Sequence, residues 1–198
     1  MKRLVLASRN AGKLRELQSL LQPLDWDVIP QDDLNIAEAP EPHPTFVENA
    51  LSKARNAALH SGLPALSDDS GLCVDALGGG PGVISAHFAG EPKSDLRNNE
   101  KLVREMQGVK DRRAHYYCVL VLVRSAGDPE PLIAEGRWEG EVILSPQGHG
   151  GFGYDSYFYL PQQGCTVAEL TVADKNRISH RAQALARLLD RLRSTNLT

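Results

Sequence analysis

A chain of 198 residues, 41% hydrophobic and 24% charged, has ample apolar residue for one sizeable α/β domain or two closely packed lobes. Its formal net charge of −3 argues against a general nucleic-acid surface, so an anionic ligand must be held by local positive groups and metal. Three scattered cysteines, Cys73, Cys118 and Cys165, form no C-x-x-C pair, which argues against a disulfide framework and a zinc site.

The apolar run Leu4-Val5-Leu6-Ala7 after Met1-Lys2-Arg3 is too short for a signal-peptide core, and no stretch is long enough to span a membrane. A reducing, cytoplasmic setting is the expectation. Arg3 to Ala7 reads as a short buried strand, Ser8-Arg9-Asn10-Ala11-Gly12-Lys13 as a polar turn, and Leu14, Leu17, Leu20 and Leu21 as the apolar face of a helix. Val28-Ile29 is a second short strand, followed by a Pro- and acid-rich loop from Pro30 to Pro44. Thr45-Phe46-Val47-Glu48 has the form of a capping box, and the helix it starts carries Phe46, Ala50, Ala54 and Ala57 on one face.

Ser67-Asp68-Asp69-Ser70-Gly71 lies between Leu63, Ala65, Leu66 and Leu72-Cys73-Val74, and is expected to form strand, turn, strand. Gly78 to Gly82 is a loop, Ser94 to Gln107 a polar helix, His115 to Arg124 a strand, and Leu132 to Leu144 its expected antiparallel partner. A second glycine-rich loop covers Gly148 to Gly153, and Tyr157 to Leu160 is a short strand. The chain closes on one amphipathic helix with Ile178, Ala182, Leu185, Leu188, Leu189 and Leu192 in a stripe. Early βα units and a later hairpin point to an α/β protein with a mixed sheet.

Five places carry chemistry. Adjacent carboxylates repel, so Asp68-Asp69 is either a solvated turn or a site balanced by something positive, with Mg²⁺ the first candidate because it prefers carboxylate oxygen. The turn Ser8 to Lys13 is either an ordinary capped helix start, with Asn10 as cap, or a phosphate site with a lysine. It is not a Walker A loop, because Ala7 stands at the first glycine position and Leu14 follows Gly12-Lys13. Lys53, amid Ala50, Ala54 and Ala57, is either solvated or aimed at a phosphate or carboxylate. Gly148 to Asp155 sets Phe152 among glycines, as a stacking face for a base or as a core plug, and Asp155 offers acceptors to a ribose or base. Lys175-Asn176-Arg177-Ile178-Ser179-His180-Arg181 reads as a basic, solvent-facing helix start capped by Ser179, placed against the helix dipole.

Taken in order, Ser8 to Lys13, Thr45 to Ala50 with Lys53, Ser67 to Leu72, Gly150 to Asp155 and Ser179-His180-Arg181 closely resemble the inosine triphosphate pyrophosphatase family, whose bacterial members are dITP/XTP pyrophosphatases. The resemblance runs from Leu4 to about Leu192. It implies a long mixed β-sheet with helices forming two lobes around a central active-site cleft, and hydrolysis of dITP, ITP and XTP to the monophosphate and pyrophosphate. It implies that Ser8, Arg9, Asn10, Ala11, Gly12 and Lys13 cradle the triphosphate, with Lys53 assisting. Asp69 would bind Mg²⁺ and serve as general base beside Asp68, with Glu41 a further metal contact and Ser70 touching substrate. Phe152, Gly153, Tyr154, Asp155, Lys175, His180 and Arg181 would form the nucleoside pocket. A homodimer is implied, without a stable nucleic-acid partner. Two residues depart from the family pattern: Arg9 stands where Gly is common, and His87 where Arg is usual.

The chemistry agrees with these roles. Charge that builds on phosphate oxygens is stabilised by a lysine and metal clamp. A carbonyl on hypoxanthine or xanthine, where adenine has an amine, matches donors from His180 and Arg181. The rivals are a septum-formation-type pyrophosphatase with another nucleotide preference and a non-catalytic nucleotide sensor. Hydrolysis profiles separate the first from this reading, and retained binding with lost turnover in Asp69→Asn separates the second.

Overall fold

The computed structural model describes residues 2–22 and 26–194. Seven strands form one mixed sheet in the order β2-β1-β3-β4-β5-β6-β7. Strand β1 (Lys2–Ala7) lies parallel to β2 (Trp26–Pro30) and to β3 (Ala65–Val74), with Leu6 opposite Pro30 and Leu66. Strands β4 (Arg113–Val123) and β5 (Leu132–Val142) follow, and β5, β6 (Phe158–Leu160) and β7 (Cys165–Thr166) pair antiparallel. The helices are α1 (Ala11–Leu21), α2 (Phe46–Ser61), α3 (Asp95–Glu105), α4 (Val172–Ile178) and α5 (His180–Ser194). None is long and apolar enough to cross a membrane.

The chain divides into two compact units, each with its own apolar core. The first takes the described residues of 1–69, 118–136 and 181–198. There Leu4 and Leu6 of β1, Leu17 and Leu21 of α1, Leu66 of β3, Leu120 and Leu122 of β4, and Leu185, Leu188 and Leu192 of α5 pack together. The small residues Ala50, Ala54 and Ala57 let α2 lie close against β1, and Ser67 of β3 donates its hydroxyl to the Ala50 carbonyl at 2.5 Å. The second unit takes 70–117 and 137–180. Its core joins Leu72 and Val74 to Leu102 of α3, Met106 just after that helix, Tyr116 of β4, Trp138 of β5, and Phe158. Gly140 makes room for this packing: a Cβ there would stand 2.6 Å from the Phe158 ring.

Capping chemistry sets most helix starts. Asn10 Oδ1 accepts from the amides of Gly12 and Lys13, so α1 begins inside the expected polar turn. Thr45 Oγ1 accepts from the Glu48 amide, but the Glu48 carboxylate takes the Thr45 hydroxyl at 2.5 Å rather than the Thr45 amide. The reciprocal half of the capping box is therefore a side-chain bond, because a hydroxyl that accepts still has a proton to donate.

Two expectations are corrected. The double-aspartate segment is one uninterrupted strand, buried except at Ser70, with no turn in it. Its turn-forming residues serve packing instead: a Cβ at Gly71 would lie 2.3 Å from the Gly82 carbonyl and 2.5 Å from Ser85 Oγ. The C-terminal stripe is also two helices, broken at Ser179, where extended backbone (ψ 160°) ends α4. Ile178 packs with the second core, while Ala184, Leu185, Leu188 and Leu192 belong to the first.

Candidate functional site

Alternation along β3 decides what Asp68 and Asp69 do. Successive side chains of a strand point to opposite faces. Leu66 and Asp68 face α1 and α5, while Ser67 and Asp69 face α2. The neighbouring carboxylates thus have separate partners. Asp68 Oδ2 takes Lys13 Nζ of α1 at 3.1 Å and Arg181 Nη2 of α5 at 3.3 Å. The other end of the Arg181 guanidinium meets Glu16 of α1. Burial pushes the Asp68 carboxyl up, but Lys13 and Arg181 outweigh it and hold the group well below the usual carboxylate range. Asp68 is an ionised anchor for two cations.

Asp69 differs in sign. Its Oδ1 lies 3.3 Å from Lys53 Nζ, which also holds Glu41 Oε1 at 2.5 Å. Burial raises the Asp69 carboxyl, Lys53 and Lys13 oppose the rise, and Glu41 and Asp68 add to it, leaving it above the ordinary aspartate value. Burial lowers the Lys53 ammonium, but Asp69, Asp68 and Glu41 more than reverse that. The lysine is buried, not solvated. One stripe of α2 also grips the acidic loop: Asn49 donates to the His43 carbonyl and accepts from its amide, and Asn56 holds the Ala37 carbonyl. Glu41 hangs between these tethers, about one-third exposed.

The α1 start is less open to a phosphate than its sequence suggests. The amides of Gly12 and Lys13 are taken by Asn10 Oδ1, and that of Leu14 by the Asn10 carbonyl. What it presents are side chains: the half-buried Ser8, the exposed Asn10 and the largely buried Lys13. Arg9 turns aside to Asp32 at 2.8 Å, which explains how a long side chain is accommodated there. Ala11 is exposed.

Across this first unit, four carboxylates (Glu16, Glu41, Asp68 and Asp69) face three cations (Lys13, Lys53 and Arg181). Among the described residues no group of three or more His, Cys, Asp or Glu side chains is gathered as a metal cage. The donors near Asp69 are all oxygen and carry an excess of negative charge, which suits a hard divalent cation shared with phosphate oxygens.

In the second unit a ring of contacts centres on Asp155. Its Oδ1 accepts from Tyr116 Oη at 3.1 Å, and its Oδ2 accepts from the Phe152 amide at 2.9 Å and from Lys175 Nζ at 2.7 Å. Gly151 is necessarily glycine here, with φ +74° and a Cβ position 2.1 Å from Asp155 Oδ2. The half-buried Phe152 ring lies 4.5 Å from Lys175 Nζ, a cation–π contact. His180 stacks on Tyr116, with centroids 4.8 Å apart and planes 15° apart, and on Trp138 at 6.3 Å.

Lys175, His180 and Arg181 are all buried, which corrects the solvent-facing reading of that segment. The turn at Ser179 and the neighbouring carboxylates account for it. Arg181 is engaged by Asp68 and Glu16. Tyr154 points into the core and donates to the Ser85 carbonyl at 2.7 Å. Gly153 is clamped by α3: its amide donates to Asp95 and its carbonyl accepts from Asn99. Ser70 is half-buried on β3. Sequence reasoning missed Glu16, Asp95, Asn99, Tyr116 and Trp138. Asp95 and Asn99, four apart on an unusually polar helix, were the readable signal; Tyr116 sat in an apolar strand and gave none.

The chain has close relatives among known proteins. The model of the Ham1 family matches residues 4–191. A Ralstonia nicotianae protein named dITP/XTP pyrophosphatase is 63% identical over 196 residues, covering 98% of each chain. A Bordetella pertussis protein of the same name is 61% identical, covering 98% of this chain and 93% of that one. The structure of a HAM1 protein from Coxiella burnetii superposes with a TM-score of 0.91 at 45% identity, covering 98% of this chain and all of that one.

Proposed function

The chain belongs to the Ham1 family, and from that premise we propose that it hydrolyses deaminated-purine nucleoside triphosphates, dITP, ITP and XTP, to the monophosphate and pyrophosphate. The observation that carries the reading is the buried Lys53 held between Asp69 and Glu41, with Asp69 poised above the ordinary aspartate value. A carboxylate that accepts a proton more readily than usual is suited to general-base work. In the proposed reaction Asp69 takes a proton from water as the water oxygen bonds to the α-phosphorus. The bond from that phosphorus to the bridging oxygen breaks, and its electron pair leaves with pyrophosphate.

Lys13 and Lys53 supply positive charge to the phosphate chain, with Ser8 and Asn10 as side-chain donors. Arg9, Ala11, Gly12 and Ser70 belong to the same proposal through the resemblance. Asp68 holds Lys13 and Arg181 in place from the other face of β3. Asp69 and Glu41 would hold Mg²⁺, with Asp68 contributing its charge; that ion, when bound, would neutralise phosphate oxygens.

Phe152, Lys175 and His180 are proposed to hold the base. Lys175 and His180 can donate to the carbonyl of hypoxanthine or xanthine, and an adenine amine would meet donors in its place. Gly153, Tyr154 and Asp155 shape that surface from behind, and Arg181 acts through Asp68. A cytoplasmic homodimer belongs to the same proposal, its state measurable by light scattering.

The test is to incubate the protein with Mg²⁺ and ITP in ¹⁸O-water. Pyrophosphate with the label in IMP is expected. Orthophosphate as the product, label in pyrophosphate, or a strong pyrimidine preference would refute the reading.

A further inference from the structure

Tyr116 lies outside every motif that led to the proposed function, yet it touches His180, assigned to the base, and Asp155, which holds the other two base residues. Its hydroxyl donates to Asp155 Oδ1 at 3.1 Å, and its ring stacks on His180 at 4.8 Å. The side chain is 7% exposed, and Phe158 packs on its ring at 4.5 Å and 48°. It is held in one place by the core and holds others in turn.

The partners of Asp155 give this contact its meaning. A carboxylate offers about four acceptor positions. Tyr116, the Phe152 amide and Lys175 occupy three of them in Asp155, which is itself buried. Asp155 therefore acts on a base through what it holds: the Phe152 backbone that sets the stacking ring, and the Lys175 ammonium that lies 4.5 Å from that ring. Tyr116 supplies the donor to the oxygen that neither of them uses. Its ring, nearly parallel to the imidazole at 15°, also restricts the plane in which His180 can present a hydrogen bond. Trp138 borders the same imidazole at 25° and 6.3 Å.

We propose that Tyr116 is a positioning residue for base discrimination, which sets His180 by stacking and the Phe152–Lys175 pair through Asp155. The proposal rests on the reading that Phe152, Lys175 and His180 hold the base. The ring of Tyr116 acts on His180 directly and its hydroxyl acts on Phe152 and Lys175 through Asp155, so its removal should change which base is accepted and leave the chemical step intact.

Tyr116→Phe tests this, since it keeps the ring and the packed volume and deletes only the donor. Wild type, Tyr116→Phe, Tyr116→Leu and His180→Ala are assayed with ITP, ATP and ribose 5-triphosphate, which has the phosphate chain and no base. Tyr116→Phe should raise KM for ITP roughly tenfold with kcat within about twofold, the loss of one hydrogen bond to a buried charge. The ITP-to-ATP preference should fall by a similar factor, and turnover of ribose 5-triphosphate should be unchanged. Tyr116→Leu, which also removes the stack, should fall further. The proposal is overturned if Tyr116→Phe keeps the ITP-to-ATP ratio while His180→Ala loses it, or if all three substrates decline together. If His180→Ala also leaves the ratio untouched, the base-holding assignment fails and the role of Tyr116 falls with it.

Discussion

Replacing either aspartate of β3 by asparagine should separate function from stability in opposite directions. The two residues are adjacent and both buried, and each substitution preserves shape. Asp68 is held below the ordinary aspartate value, so its surroundings favour the charge; Asp69 is held above it, so its surroundings on balance disfavour the charge. Asp68→Asn takes one carboxylate from Arg181, 1% exposed, which keeps Glu16, and removes the pairing of Lys13. Two unit charges 3.3 Å apart attract by about 5 kcal/mol at an effective dielectric of 20, before desolvation is subtracted. Breaking one side of such a buried pair costs about 3 kcal/mol. Asp69→Asn gives up the attraction to Lys53 but also relieves burial and the repulsion from Glu41 and Asp68, and Lys53 keeps Glu41. Its stability should match wild type or exceed it. Its turnover of ITP should fall on the order of 10²- to 10⁴-fold with binding retained, because a proton acceptor is lost and the donors are not. Urea unfolding, ITP binding by calorimetry and pyrophosphate release measure the three quantities. Loss of several kcal/mol in Asp69→Asn, or near-normal turnover, would refute the assignment of the two carboxylates.

Acid should act on the same pair. Because the folded-state carboxyl of Asp68 is depressed, its stabilisation is present above the unfolded value of about 3.9 and is lost as pH falls through the folded value; Asp68→Asn should flatten the acid limb of the unfolding curve. The raised carboxyl of Asp69 predicts that kcat falls as pH drops through a point above the ordinary aspartate value, and that Asp69→Asn lacks this limb. Gly71→Ala places a Cβ 2.3 Å from the Gly82 carbonyl and should destabilise by about 2 to 3 kcal/mol in urea melts, with the fold retained. Chelation with EDTA should abolish ITP turnover, and Mg²⁺ should restore it; turnover that survives chelation would remove the ion from the proposal.

Local chemistry was legible wherever a residue acts on its near neighbours. Asn10 and Thr45 cap their helices, the leucines of α1 face the core, and Cys73 and Cys118 are buried thiols, the latter pushed up to about 12 by burial. Asp69, Lys53, Phe152 and Lys175 stand out by residue type, and their site roles come through the resemblance to the family. Less legible was the role of turn-forming residues in an extended segment. Ser67, Asp68, Asp69, Ser70 and Gly71 have turn preferences, and the place of β3 inside the sheet between β1 and β4 overrides them. The partners of Arg181 and Tyr154, Asp68 and the Ser85 carbonyl, are distant in sequence and left no local signal.

From the order of amino acids alone came the α/β class and most of the helices and strands before α4, because each of these depends on residue type and short spacing. Tertiary structure alone decided that neighbouring aspartates would face different helices, that the chain would break into separate helices at Ser179, and that Tyr116 would meet Asp155. The reason is that a side chain's charge, burial and direction are set by elements brought beside it from far along the chain, and those contacts leave no local pattern to read.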